Sequence, residues 1–296
     1  MNGSAARAAV LGHPISHSKS PLLHRAAYGY LGFSCTYDAV DVPEEDAAAF
    51  AAALREPDPA QPRWAGLSVT MPLKTALLPA MDRLTPMAQA LQVLNTVTFE
   101  YTDRGVLLTG HNTDVEGIVR ALTHAGARPA PRVAVLGSGG TACAAVAAAG
   151  LLGASSVDVY ARRYPESADG TVAVEAAGSR TGTALTLHPW ADAAQACAGA
   201  DVVISTLPPH AADSLADAVA AGTADLAGTV LLDVAYDPWP SRIARVWEDR
   251  GGRIVPGLEM LLYQAVEQVR LFTGDQFRDG QAVTNVMCDA VGAPRR

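Results

Sequence analysis

Apolar residues recur along this chain with two different spacings. Short runs with strand character fall at 8–11, 36–42, 66–71, 96–99 and 106–109, and between them the apolar positions repeat every three or four residues at 22–31, 44–55, 75–81 and 86–91. That alternation predicts an α/β domain over residues 1–113. The run Glu56-Pro57-Asp58-Pro59-Ala60-Gln61-Pro62 reads as a surface loop, because its prolines interrupt both helical and strand hydrogen bonding.

A helix expected at 114–125 leads into Arg132-Val133-Ala134-Val135-Leu136, an unbroken apolar strand of the kind buried on both faces of a parallel sheet. Further strands at 157–160, 184–187, 202–205, 230–234 and 253–255 make six, the strand count of a doubly wound sheet. Past Gly257 the spacing of Leu261, Leu262, Ala265, Val266, Val269 and Leu271 is helical. The small-residue stretch at 142–154 is far shorter than the ~20 residues a membrane crossing needs and predicts a buried helix.

Composition narrows the partners. With 296 residues, 49% apolar and 18% charged, the chain can bury two ordinary cores. Its 22 basic against 30 acidic residues give a net charge of -8, which excludes a nucleic-acid or anionic-membrane footprint. Cys35, Cys143, Cys197 and Cys288 have no paired spacing, so neither a metal site nor a disulfide framework is expected. The opening Met1-Asn2-Gly3-Ser4-Ala5-Ala6-Arg7 lacks the apolar core of an export signal, and a cytoplasmic protein is expected.

Strand 132–136 runs into Gly137-Ser138-Gly139-Gly140-Thr141-Ala142 and then a helix, which is the setting a dinucleotide fingerprint requires. Gly137 suits the tight turn, Gly139 a close approach of backbone to pyrophosphate, and Ala142 close helix-to-strand packing; the helix start offers amide donors to phosphate. An acidic residue about 20 positions on would favour NAD. Instead the next strand ends in Arg162 and Arg163, whose planar guanidinium groups suit a 2'-phosphate and so favour NADP.

Lys74 closes Ser68-Val69-Thr70-Met71-Pro72-Leu73-Lys74, where Pro72 reads as the first residue of a helix. A cation in the first helical turn opposes the helix dipole, which points to acid/base work. Ser20-Pro21 reads as a helix cap followed by its first residue, and with Ser18 makes a site for a carboxylate. Thr113 with Glu116 has the spacing of a capping box and places Asp114 in the first helical turn.

Taken in order, these segments resemble the shikimate dehydrogenases, which reduce 3-dehydroshikimate to shikimate with NADPH in aromatic amino-acid biosynthesis. The likeness runs through Gly12 to Pro21, Ser68 to Lys74 with Leu94-Asn95-Thr96, Asn112-Thr113-Asp114, the glycine loop with Arg162, and Asp233-Val234-Ala235-Tyr236-Asp237-Pro238 with Gly257-Leu258-Glu259-Met260-Leu261 and Gln264-Ala265. It implies that Lys74 and Asp114 form the catalytic pair. Ser18 and Ser20, with Tyr236 nearby, would hold the substrate carboxylate, and Thr70, Asn95 and Gln264 the ring hydroxyls. The loop Gly137, Ser138, Gly139, Gly140, Thr141 and Ala142 would take the pyrophosphate, Arg162 the 2'-phosphate, and Gly257 would approach the nicotinamide.

The implied fold has two α/β domains. A substrate domain spans 1–113 and is completed by 258–296, and a Rossmann NADP-binding domain spans 114–257. A homodimer is the assembly kept open. Departures from the family pattern are Ala161 and Ser68, each in place of an asparagine, His111 in place of an acidic residue, Gln92-Val93-Leu94 in place of smaller residues, and Glu259 in place of a small one. Competing expectations are a quinate or aminoshikimate dehydrogenase using NAD, and a silent regulatory homologue; the paired arginines oppose the first and the intact Lys74 and Asp114 the second.

Overall fold

The computed structural model describes residues 6–56, 60–165 and 171–296; the centre of the proline-rich loop at 57–59 and the opening residues 1–5 lie outside them. The chain divides into two compact units, one of Met1–Thr113 with Leu262–Arg296 and one of Asp114–Leu261.

In the first unit β1 (Ala6–Gly12), β2 (Cys35–Asp41), β3 (Trp64–Val69), β4 (Arg83–Leu84), β5 (Thr96–Thr102) and β6 (Gly105–His111) form one sheet in the order β2-β1-β3-β5-β6-β4. Strand β1 is parallel to β2 and β3, whereas β5 is antiparallel to β3 and β6. The connecting helices are α1 (Ser20–Leu31), α2 (Ala47–Ala53), α3 (Leu73–Ala76) and α4 (Pro86–Leu91). Leu11, Leu67, Val69, Leu73, Leu94, Val97 and Leu108 fill the core between sheet and helices. The helix expected at 75–81 is instead the single turn α3 followed by a 3-10 turn at Leu78–Ala80, because Pro79 has no N–H to continue the ladder. The two-residue β4 is too short to leave a periodic signal.

The second unit opens with α5 (Asp114–His124). Its strands β7 (Arg132–Leu136), β8 (Ser156–Ala161), β9 (Thr186–Pro189), β10 (Val202–Ser205), β11 (Val230–Asp233) and β12 (Arg253–Pro256) are all parallel, in the order β12-β11-β10-β7-β8-β9. Counted from β7, this is the doubly wound order 3-2-1-4-5-6, read from β9 to β12. Helices α6 (Gly140–Leu151), α7 (Thr171–Thr181), α8 (Ala193–Gly199), α9 (Asp213–Ala221) and α10 (Arg242–Asp249) link the strands. Every residue of α6 from Ala142 to Ala149 is buried, and alanine is what lets one helix pack closely on all sides. Trp247, Leu136, Val203 and Leu231 lie in the core of one face. Then α11 (Gly257–Thr273) carries the chain back to the first unit, where α12 (Gly280–Val291) packs on α1.

Gly66 is where α11 meets the first sheet. A Cβ there would lie 2.0 Å from the Phe272 ring, so the strand accepts the ring only because residue 66 has no side chain. Gly66→Ala is expected to lower unfolding free energy by about 1–3 kcal/mol, read from urea denaturation, through overpacking. Adding Phe272→Leu should recover part of that loss, so the two effects will not be additive.

Candidate active site

Because β1 and β3 are adjacent and parallel, the loops that follow them leave the same edge of the first sheet. The His13 amide donates to the Met71 carbonyl at 3.0 Å and the Thr70 amide to the Leu11 carbonyl at 2.8 Å. A Cβ at Gly12 would lie 2.5 Å from the Thr70 methyl and 2.9 Å from the Met71 oxygen, so glycine alone fits this approach. Ser18 Oγ accepts from the Ser20 amide at 3.3 Å. Ser20 is the first residue of α1, with Lys19 at the cap position, so the expected capping role of Ser20 is not the one seen; its buried side chain lies beside the Tyr37 phenol.

Lys74 is half-buried in α3, with Pro72 just ahead of the helix rather than in its first position. A helix of four residues has little macrodipole, so the electrostatic ground for singling out Lys74 does not hold. The lysine is placed by its backbone: the Leu94 amide donates to the Lys74 carbonyl at 3.0 Å, directly before Asn95.

Asn95, 2% exposed, joins several elements. Its Oδ1 accepts from the Thr113 amide at 2.8 Å and the Thr96 hydroxyl at 2.9 Å. Its Nδ2 donates to Thr113 Oγ1 at 2.9 Å and to Gln264 Oε1 at 3.3 Å. Four residues along α11, and therefore on the same face, Gln268 donates to the Asn95 carbonyl at 3.1 Å and to Thr96 Oγ1 at 2.9 Å. Gln268 Oε1 accepts from Ser68 Oγ at 2.7 Å, and Ser68 accepts from the Tyr37 phenol at 2.7 Å.

His24 completes this buried set, with Nε2 3.2 Å from Gln268 Oε1 and Nδ1 3.1 Å from the Tyr28 hydroxyl. An amide oxygen only accepts, so Nε2 carries the proton and Nδ1 accepts from Tyr28. The ring stacks on Tyr37 at 4.0 Å, and complete burial outweighs its bond to Gln268 and pulls its pKa down to about 3.

Sequence reasoning missed Gln268, Tyr37 and His24 and left Ser68 unexplained. Of these, Gln268 had a signal, standing one helical turn after Gln264 among the apolar positions of α11. Thr113, read as a capping residue, has its hydroxyl within 3.2 Å of Asn95 Oδ1 and 3.3 Å of Gln264 Oε1, and Glu116 is exposed. His111 bonds Thr98 Oγ1 at 2.8 Å across β5 and β6, and burial, then the Arg270 charge, hold its pKa below the usual histidine value. Gln92 ends α4 in the left-handed region at φ 52°, with Val93 and Leu94 buried behind it.

In the second unit Asp114, 4% exposed, opens α5. The Gly137 amide donates to the Tyr160 carbonyl at 2.9 Å, which sets the glycine loop beside the end of β8 and the exposed Arg162 and Arg163. Gly137 must be glycine, since its φ is 110° and a Cβ would lie 2.6 Å from Thr206 Oγ1. Gly139 is different: its backbone is extended and a Cβ would meet nothing within 4 Å. Neither the protein's packing nor its backbone requires glycine there, whereas a diphosphate lying on the helix start with Gly140, Ser138 and Thr141 would. Ala142 is fully buried, as close helix-to-strand packing needs, and Ala161 is buried at the end of β8.

Asp233 ends β11 with its carboxyl accepting from Ser241 Oγ at 2.6 Å, and burial raises its pKa although that bond opposes the shift. Ser241 also caps α10 by accepting from the Ala244 amide at 3.2 Å. The half-buried Tyr236 follows in the same loop, its phenol pKa raised by burial and then by Asp237. Gly257 packs against that loop, where a Cβ would lie 2.2 Å from the Val234 oxygen.

The structure thus brings Ser18, Ser20, Thr70, Lys74, Asn95 and Gln264 into one unit and Asp114, Tyr236, Gly257, the glycine loop and both arginines into the other. Among the described residues no group of histidine, cysteine and carboxylate side chains could hold a metal ion, and no helix is long and apolar enough to cross a membrane.

Residues 10–97 match the family model of the shikimate dehydrogenase substrate binding domain, and residues 257–276 that of the shikimate 5'-dehydrogenase C-terminal domain. The chain is 33% identical to a shikimate dehydrogenase (NADP(+)) of Moorella thermoacetica, over 99% of this chain and 96% of that one. Among solved structures it is similar to the Mycobacterium tuberculosis shikimate dehydrogenase, with a TM-score of 0.79, 37% identity and coverage of 96% of this chain and 99% of that one. It is also similar to the Thermus thermophilus shikimate 5-dehydrogenase in complex with NADP(H) and shikimate, with a TM-score of 0.75, 29% identity and coverage of 96% and 99%.

Neutral, buried His24 makes stability depend on pH. Its folded pKa of about 3 lies below the unfolded value of 6.5, so below pH 6.5 the unfolded chain takes up a proton that the folded one refuses. Stability present above 6.5 is therefore lost as pH falls toward 3, at up to about 1.4 kcal/mol per pH unit from this one group. His24→Gln, which does not titrate, should show a correspondingly shallower slope in urea denaturation between about pH 6 and about pH 5. Equal slopes would mean that His24 is not held neutral.

Proposed function

Because the chain belongs to the shikimate dehydrogenase family, we propose that it catalyses the reversible NADP-dependent reduction of 3-dehydroshikimate to shikimate, with the substrate on the first unit and the cofactor on the second. The observation that carries this reading is the hydrogen-bonded cluster of Asn95, Thr113 and Gln264, with the Lys74 carbonyl bonded to the amide of the adjacent Leu94. Such a cluster holds neutral donors and acceptors in fixed directions, which is what a polyhydroxylated ring requires.

Ser18 and Ser20 take the carboxylate at the start of α1, with Tyr236 contributing a phenol. Thr70, Asn95 and Gln264 hold the ring hydroxyls and thereby set the reacting carbon. Bound NADP(H) supplies or accepts the hydride at that carbon. Lys74 donates a hydrogen bond or a proton to the oxygen as it gains negative charge, and Asp114 orients and balances the lysine. The loop from Gly137 to Ala142 takes the pyrophosphate, Arg162 and Arg163 the 2'-phosphate, and Gly257 leaves room for the nicotinamide. Four free thiols, three of them buried, fit a reducing cytoplasm.

Two measurements test the assignments. Lys74→Ala should lower turnover by about 10²- to 10⁴-fold while changing the shikimate KM far less, and wild-type turnover in that variant would remove the lysine from the chemistry. Arg162→Ala with Arg163→Ala should raise the KM for NADP roughly tenfold or more and leave that for NAD nearly unchanged, since a charge-assisted bond to the 2'-phosphate is lost only with NADP. Nicotinamide absorbance followed with shikimate or quinate, against each cofactor, reads both; activity confined to quinate with NAD would overturn substrate and cofactor together.

A further inference from the structure

Backbone groups fix which way the Asn95 and Gln268 amides point. A peptide N–H only donates, so the Thr113 amide at 2.8 Å identifies the Asn95 oxygen and turns Nδ2 toward Thr113 Oγ1 and Gln264. A peptide carbonyl only accepts, so the Asn95 carbonyl at 3.1 Å fixes the nitrogen of Gln268. That nitrogen also donates to Thr96 Oγ1 at 2.9 Å. The Thr96 proton is then directed away from Gln268, and Asn95 Oδ1 at 2.9 Å is a nearer acceptor than Thr113 Oγ1 at 3.4 Å.

From this ordering we infer that Gln268 is a positioning residue for substrate, acting through the Thr96 hydroxyl on Asn95. With Oδ1 taken by the Thr113 amide and the Thr96 hydroxyl, Asn95 meets a ring hydroxyl through Nδ2 as a donor: one N–H stays on Thr113 Oγ1 at 2.9 Å, and the one on Gln264 Oε1 at the longer 3.3 Å is exchanged for the ligand. The inference rests on the reading that Asn95 binds substrate. Gln268 has two arms. Its nitrogen serves Asn95 and Thr96, and its oxygen serves Ser68 and His24, deeper in the core. Only the nitrogen arm faces the cluster that holds the ring, so substitutions on the two arms should have different effects.

Thr96→Val keeps the shape and removes the link. It should fold, because Asn95 Oδ1 retains the Thr113 amide and Gln268 retains the Asn95 carbonyl. Losing one directed hydrogen bond should raise the shikimate KM by roughly 3- to 10-fold, with kcat within about twofold and the NADP KM unmoved. Thr96→Ser should restore wild-type KM. Ser68→Ala, on the other arm, should lower Tm by a few degrees and leave the shikimate KM within about twofold. In an Asn95→Ala background, Thr96→Val should add nothing further to KM.

If Asn95→Ala raises KM strongly while Thr96→Val does not, positioning through Thr96 is wrong. If Thr96→Val and Ser68→Ala change KM alike, Gln268 is only a structural residue. If Asn95→Ala leaves KM unchanged, the substrate-binding reading of Asn95 falls and this inference falls with it. Should Thr96→Val fail to fold, Gln268→Met, which removes both donors at similar volume, is read by the same KM and kcat split.

Discussion

Asn95 sits where two strands, the Thr113 turn and the returning helix meet, and each of them is bonded to it. Its carbonyl accepts from the Val69 amide at 2.7 Å and from Gln268, and its amide donates to the His111 carbonyl at 3.0 Å. Its side chain takes the Thr113 amide and gives to Thr113 and Gln264. An unpaired polar group at this depth costs about 1–3 kcal/mol, so the packing of β3, β6, the Thr113 turn and α11 must satisfy all of these groups together. The burial that stabilises the first unit is therefore also what holds an amide in one orientation at the proposed substrate site.

The two units follow different rules. Around Asn95 the side chains are hydrogen-bonded to one another and to the backbone, so their directions are set by the protein before any ligand arrives. In the second unit the decisive feature is an absence of side chain. Gly137 is demanded by its backbone and by Thr206, while at Gly139 nothing in the chain fills the space a Cβ would take. A ring bearing several hydroxyls is discriminated by directed bonds, and a diphosphate by close approach of backbone amides. On the proposed assignment, each unit carries the device that its ligand requires.

The alternation of short apolar strands and helical segments makes both sheets legible, and the glycine loop, the paired arginines and the segment ending in Lys74 are legible as motifs. The helix-dipole argument for Lys74 is not sound, because α3 is too short to have a useful dipole; the lysine is held by the Leu94 amide instead. The network behind the site is invisible in the sequence for a simple reason. Ser68 and Gln268 stand 200 positions apart and Thr96 and Gln268 172 apart, so their pairing is created by packing and leaves no local pattern. Thr113 shows the opposite error, in which a local rule explains a residue well enough to hide its long-range partners. Single-residue departures such as Ser68 become intelligible only beside what they touch.

The side chains that run from Asn95 through Thr96, Gln268 and Ser68 to Tyr37 and His24 are amides, hydroxyls and one neutral imidazole, and this bears on how the enzyme responds to pH. His24 is held neutral above about pH 3, and burial raises the pKa values of Tyr28 and Tyr37. Across the physiological range no member gains or loses a proton, so no donor turns into an acceptor and the orientation of Asn95 does not change with pH. A polar core built from amides and hydroxyls separates binding geometry from ionisation in a way that a buried ion pair could not. A dependence of turnover on pH would then arise in groups outside this network, and the substrate KM would stay flat while kcat changed.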